Sequence, residues 1–306
     1  MAADAVLLIA FGGPTRREDV MPFLENVVRG RGVPRERLTE VARHYDAIGG
    51  RSPLNAITFA QADALRVALA NGGTALPVYV GMRNWQPYIA EALGRLADDG
   101  RREAVGVILA PHSTEASRAR YTDAVAHAGA QLATRAPAIR WVGEWHAHPL
   151  FIAAAAERTT AAIGGMDAAR RAAAALVFTA HSVPRAMAAG SPYEAQITAS
   201  AAAVANRLGH RTWQVAYQSR SGSPGAAWLE PDVNDALRAL AAAGTRDAVV
   251  VPIGFVADHV EVLYDLDVEA AATARAAGLG FVRVPTVNDH PLFVRMLAEL
   301  VREAAR

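Results

Sequence analysis

Three carboxylates recur at every fourth residue late in the chain: Glu261, Asp265 and Glu269. On an α-helix of about 3.6 residues per turn that spacing drifts by only roughly 40° per step, giving one stripe about 12 Å long. Like charges stacked this way repel by ~0.2–0.5 kcal/mol per pair, so a stripe without basic partners points to cations as its intended company. Its first member closes the run Asp258-His259-Val260-Glu261, which has capping-box spacing with Asp258 as N-cap. Capping does not require the continuation to Asp265 and Glu269. A further candidate, His181, follows the apolar run VFTA and precedes Ser182-Val183-Pro184, at a strand exit. A lone histidine is more often structural, but an imidazole facing a carboxylate can take protons and hold a borderline metal such as Fe²⁺.

Other segments offer contacts for anions. The hydroxyls and amides of the run from Tyr217 to Gly225 form either an anion cradle or an ordinary glycine-rich loop. Arg29-Gly30-Arg31 and Gly49-Gly50-Arg51-Ser52 add arginines, whose forked guanidinium pairs with carboxylates.

Composition removes whole chemistries. The 306 residues include no cysteine, and all 31 basic residues are arginine. Thiolate-bound zinc, iron–sulfur ligation and cysteine nucleophiles are excluded, and so is a zinc deaminase reading of His259-x-Glu261. Without lysine there is no Walker A loop and no Schiff-base catalyst. No GxGxxG follows a strand, which disfavours hydride transfer. A net charge of +1 with interspersed signs gives no footprint for nucleic acid and no polybasic patch for a membrane. The opening MAADAVLLIAFGG lacks a basic leader and is too short to span a bilayer, so a soluble cytoplasmic protein is expected, with no integral membrane association.

These groups need a scaffold. Short apolar runs at 5–13, 76–82, 104–112, 139–145, 174–182, 211–219, 247–255 and 281–287 read as buried parallel strands, with Ala- and Leu-rich helical stretches between most of them. Eight alternations predict an α/β fold of two open four-stranded sheets flanked by helices. ILAPHST at 108–114 and VFTAHSV at 177–183 echo one another, from chance or from duplication of one α/β unit. Either origin puts His112 and His181 at carboxyl ends of strands, where open α/β sheets bind ligands. The expected domains are 1–148 and 149–287, with a last helix, 288–306, returning to the first.

The segments FGGPTRREDVMPFLENVVRGRGVP, HYDAIGGRSPLN, GMRNWQPY, FTAHSVP, SPYEAQI, YQSRSGSPGAAWLEPDV, VVVPIGFVADHVEVLYDLDVEA and NDHPLF together resemble the ferrochelatase family, in order and across nearly the whole chain. The resemblance implies two Rossmann-like domains of chelatase type, a porphyrin cleft, and Fe²⁺ as a substrate rather than a resident cofactor. It implies His181 and Glu261 as the facing catalytic pair, with Asp265 and Glu269 as outer steps of a metal-delivery ridge. It implies Phe11, Arg29, His44, Ser52 and Tyr121 as contacts of the macrocycle, Ser52 and Tyr121 on propionates.

There are departures from the family pattern. Phe11 stands where some relatives carry a tyrosine that ligates iron, and phenylalanine has no donor atom. His44 aligns with an arginine of certain relatives. Some members hold an iron–sulfur cluster through cysteines, so this chain is expected to be cluster-free. The EPDV that follows the SRSG loop is similar to bacterial enzymes acting on coproporphyrin III, with protoporphyrin IX as the alternative and a monomer as the simplest state. Two other readings stay open: a cobalt or nickel chelatase for sirohydrochlorin, and a non-catalytic tetrapyrrole carrier.

Overall fold

The computed structural model describes residues 2–221 and 225–306. All eight apolar runs form strands: β1 (Ala5–Ala10), β2 (Val78–Met82), β3 (Glu103–Ile108), β4 (Ala138–Trp141), β5 (Ala175–His181), β6 (Trp213–Gln218), β7 (Asp247–Val251) and β8 (Gly280–Arg283). They make two parallel sheets, ordered β2-β1-β3-β4 and β6-β5-β7-β8. The helices of the first half are α1 (Val20–Val27), α2 (Arg35–Ala47), α3 (Leu54–Asn71), α4 (Ile89–Asp98) and α5 (Arg120–Leu132). Those that follow are α6 (Pro149–Ala162), α7 (Ala168–Ala173), α8 (Arg185–Ala189), α9 (Tyr193–Leu208), α10 (Val233–Ala242), α11 (Val260–Leu263), α12 (Ala271–Ala276) and α13 (Pro291–Ala304).

The inner strands β1, β3, β5 and β7 are buried on both faces, which is why they read as unbroken apolar runs rather than alternating ones, whereas the edge strands β4 and β8 are only partly covered. Every residue of β1 is buried, as is every residue of β7. In the first sheet Leu7 and Ile9 pack with Leu93 and Leu96 of α4 and with Val125 of α5. In the second, Val177 and Val250 pack with Leu237 of α10 and with Val262 and Leu266. Each fully buried Leu, Ile or Val side chain contributes about 1.5–3 kcal/mol.

Two compact units result. One holds the chain up to Ala110, then Ala116–Glu144 and Asp289–Arg306; the other holds Pro111–Glu115 and Trp145–Asn288. The helix that follows β4 in sequence, α6, thus belongs to the second unit, and the helix that follows β8, α13, to the first. Within its unit α13 packs on α3, and α6 packs on α9. Both begin His-Pro-Leu-Phe: His148 Nδ1 accepts from Leu150 N at 3.2 Å and His290 Nδ1 from Leu292 N at 3.3 Å.

The units are copies of one design, but not in the register that the His-Ser echo suggests. The shared strand order makes β5 the counterpart of β1, not of β3. Ala10-Phe11-Gly12-Gly13-Pro14 therefore corresponds to Ala180-His181-Ser182-Val183-Pro184, and Ser52-Pro53 ahead of α3 to Ser191-Pro192 ahead of α9. Ala92-Leu93 and Ala236-Leu237 hold matching places in α4 and α10. Gly100 and Gly244 close those helices with φ of 71° and 83°. The link from Met82 to Pro87 is short, and its counterpart from Tyr217 to Pro231 carries the longer glycine-rich loop; each is closed by a backbone bond, Met82 N to Pro87 O at 2.7 Å and Tyr217 N to Pro231 O at 2.8 Å.

Candidate active site

His181 is the last residue of β5, an inner strand, where it pairs with Gln218 of β6. Gly254, just past β7, keeps this strand end in place: a Cβ there would lie 2.6 Å from Ala180 Cα, so only glycine allows the approach. Its N–H donates to Thr179 O at 2.9 Å. Buried Tyr193 donates its hydroxyl to the carbonyl of His181 at 3.0 Å, and burial holds that phenol protonated well above its ordinary pKa.

The imidazole presents Nε2 to Oε1 of Glu261 across 3.8 Å, with each side chain about one-third exposed. That separation is too long for a direct hydrogen bond. It leaves room for a proton or a metal ion to be shared. Nδ1 of His181 is buried and has no hydrogen-bond partner among the described residues. Histidines that hold resident metals ordinarily have their second nitrogen fixed by an acceptor, so this arrangement fits a metal that passes through. Among the described residues no group of three or more His, Asp or Glu is arranged to hold an ion.

The helix that carries Glu261 starts differently from the capping-box expectation. The N-cap of α11 is His259, whose Nδ1 accepts from Glu261 N at 3.2 Å. Burial lowers the His259 pKa, which keeps the ring neutral and able to accept. Asp258 turns away: its carboxylate accepts from Thr286 N at 3.2 Å, Asn288 Nδ2 at 3.0 Å and Arg283 Nη1 at 3.1 Å. From β6, Gln218 Nε2 donates to the carbonyl of Glu261 at 2.6 Å and ties the helix start to the strand end.

Past α11 the chain widens into a π-helical segment, Asp265–Ala270. Glu269 N donates five residues back, to Tyr264 O, at 3.1 Å. Such segments recur at functional sites. Asp265 is half-buried and takes a hydrogen bond from the Ser219 hydroxyl. Burial pushes its pKa up to about 8, with the charges of Glu261, Glu269 and Asp232 adding to the effect and Ser219 opposing it. Exposed Glu269 is also raised, by partial desolvation and by Asp232. Among the described residues no arginine pairs with Glu261, Asp265 or Glu269, whereas Asp258 and Asp267 both pair with Arg283.

The glycine-rich loop does not act as a plain anion cradle where it is described. Tyr217 is buried, Gln218 serves Glu261, and Ser219, in left-handed backbone with φ 61°, serves an acid. Positions 222–224 of that cluster lie outside the described residues.

The remaining sequence candidates lie in the first unit. Phe11 directly follows β1, in the position that corresponds to His181 at the end of β5, and is 40% exposed. Its ring meets buried Phe23 edge-on at 6.3 Å, and Phe23 in turn meets Tyr45 and Trp85. Arg29 is exposed in the turn after α1. His44 is half-buried on α2, its pKa lowered by desolvation and by Arg37. Ser52 is buried, and its hydroxyl accepts from Leu54 N at 3.3 Å at the start of α3. Tyr121 is buried on α5, with the Arg83 guanidinium 5.8 Å from its ring centroid. Ser219 as partner of Asp265, Gln218 and Arg283 are the site residues that sequence reasoning did not single out in those roles. Each acts through a contact distant in sequence, and no local pattern announces it.

Two doubly wound four-stranded units of one strand order make a chelatase-type fold, in which His181 faces Glu261 at the end of β5. The fold agrees with cobalt-bound SirB, the sirohydrochlorin chelatase from Bacillus subtilis subspecies spizizenii, at a TM-score of 0.58 and 11% identity over 98% of this chain and 94% of that one. At such identity the likeness speaks for the fold alone. The model of the ferrochelatase family matches residues 3–305. Coproporphyrin III ferrochelatase from Mycolicibacterium smegmatis is 43% identical over 99% of this chain and 90% of the relative. The protein of the same name from Mycobacterium leprae is 45% identical over the same shares, and a ferrochelatase from Rhodopirellula baltica is 42% identical over 98% and 86%. The chain belongs to the ferrochelatase family. It is a metal-chelating enzyme whose substrates are ferrous iron and a porphyrin, which sets aside the carrier and sirohydrochlorin readings. Among the described residues no helix is long and apolar enough to cross a membrane.

Proposed function

We propose that this enzyme inserts Fe²⁺ into coproporphyrin III, with His181 as proton acceptor and metal contact and Glu261 as the facing carboxylate. Insertion replaces two pyrrole N–H bonds by bonds to iron and releases two protons, so a base and a path for a hydrated dication are both required. The observation that carries the chemistry is the His181–Glu261 pair: 3.8 Å apart, partly exposed, and not engaged with each other in a hydrogen bond. Nε2 is positioned to receive a proton, and Glu261 to stabilise the resulting imidazolium or share the metal. Asp265 and Glu269 supply the approach, where a cation offsets the burial and like charges that raise both of their pKa values. Phe11, Arg29, His44, Ser52 and Tyr121 form the macrocycle-binding set, with Phe11 as an apolar platform rather than a ligand. Absence of cysteine removes the usual ligands of an iron–sulfur cluster, and the reading needs no resident cofactor.

The choice of porphyrin rests on the names of the two relatives above 40% identity from Mycolicibacterium smegmatis and Mycobacterium leprae. Protoporphyrin IX has two fewer propionates, so the test is iron insertion into both porphyrins, side by side, followed by absorbance. A higher kcat/KM for coproporphyrin III supports the proposal; a higher value for protoporphyrin IX overturns it. In this reading the enzyme works as a soluble cytoplasmic monomer.

A further inference from the structure

Five carboxylates lie between positions 258 and 269, and one arginine sorts them. Arg283, at the end of β8 with a side chain only 14% exposed, reaches Asp258 Oδ1 through Nη1 at 3.1 Å. The same guanidinium grips Asp267 bidentately, Nε to Oδ1 at 2.8 Å and Nη2 to Oδ2 at 2.7 Å. Asp258 precedes α11 and Asp267 lies inside the π-helical segment, so the two grips bracket Glu261 and Asp265 from either side in sequence. Asp258 is itself anchored by Thr286 and Asn288, beyond β8. Among the described residues, Glu261, Asp265 and Glu269 have no arginine partner.

We propose that Arg283 is a positioning residue: by clamping Asp258 and Asp267 it holds the helix and its π-helical segment in the register that aligns the carboxyl groups of Glu261, Asp265 and Glu269 for the incoming metal. This rests on the metal-ridge reading above. The guanidinium fork is essential to it, because lysine keeps the charge but cannot make a bidentate contact with Asp267 while also reaching Asp258.

Charge alone predicts the opposite outcome. Removing a cation beside a dication path leaves more negative charge there and tightens metal, whereas loosening the register weakens it. The test measures KM for Fe²⁺ and for porphyrin, and kcat, in Arg283→Lys and Arg283→Met, together with titration of Co²⁺ into the porphyrin-free proteins. The clamp predicts that KM for metal rises about three-fold in Arg283→Lys and about ten-fold in Arg283→Met, while KM for porphyrin and kcat at saturating metal stay within about two-fold. Co²⁺ affinity should fall in the same order. An unchanged metal KM in Arg283→Lys, a lowered one in Arg283→Met, or porphyrin KM rising in step overturns the clamp. If Arg283→Met does not fold, Arg283→Lys decides alone, since its charge is that of the wild type. Failure of the wild type to insert iron would refute the functional reading, with the Co²⁺ titration still judging the clamp; failure of the wild type to bind Co²⁺ would refute ridge and clamp together.

Discussion

The hydroxyl of Ser219, on the loop that leaves β6, is hydrogen-bonded to Oδ2 of Asp265 in the π-helical segment. This bond opposes the burial and like charges that push the Asp265 pKa up to about 8. The unfolded carboxyl titrates near 4. Between about pH 4 and about pH 8 the folded protein therefore holds a proton that the unfolded chain releases, and stability falls as pH rises through that window. Asp265→Asn should lack that decline, so its urea midpoint relative to the wild type should climb from pH 5 to pH 8. Ser219→Ala removes a charge-assisted bond of about 1.5 kcal/mol and should move the Asp265 midpoint upward by about one pH unit. Parallel midpoints for wild type and Asp265→Asn across that range would refute the assignment.

His181→Ala should bind porphyrin with an affinity near that of the wild type and lose insertion by a factor of about 10² or more, as expected for a group acting as general base. Porphyrin binding followed by fluorescence quenching, beside insertion followed by absorbance, separates the two. Insertion within a few-fold of wild type would remove His181 from the chemistry.

The pair Asp265→Ala with Glu269→Ala is expected to raise KM for Fe²⁺ by about ten-fold while shifting KM for porphyrin by less than about two-fold. Steady-state kinetics with each substrate varied in turn is the check. A change confined to porphyrin would show that the acids line the macrocycle and not the metal path.

Gly254→Ala places a methyl group 2.6 Å from the Cα and Cβ of Ala180, the residue before His181. Overpacking of this kind costs about 1–3 kcal/mol. The variant should unfold at lower urea concentration and insert iron more slowly, because relief of the clash moves the end of β5. A wild-type midpoint with wild-type kcat would show that the strand end tolerates the shift.

The strands and the site were unequally legible. Burial on both faces makes the inner strands uninterrupted apolar runs, and the shorter apolar stretches of the edge strands complete the eight. The spacing of Glu261, Asp265 and Glu269 marks them as one group, but the last two lie in a π-helical segment whose side chains find partners distant in sequence, Arg283 for Asp267 and Ser219 for Asp265. Asp258 had the right type and spacing for a cap and was drawn off by Arg283, Thr286 and Asn288, a competition between local and distant partners that spacing cannot rank. The repeat was visible too, though two His-Ser pairs drew attention to the wrong strands. The equivalence lies in Ala10 to Pro14 with Ala180 to Pro184, where one copy keeps an aromatic ring and the other an imidazole.

The exchange of α6 and α13 bears on any attempt to dissect the gene. A fragment cut between β4 and α6 would carry the first sheet without the helix that covers α3, since that helix, α13, follows β8 in sequence. The remaining fragment would carry a helix whose partner surface it lacks. Neither piece is a self-sufficient module, so the chain is better suited to split-protein complementation, in which two inactive fragments regain activity only on meeting, than to expression of isolated halves.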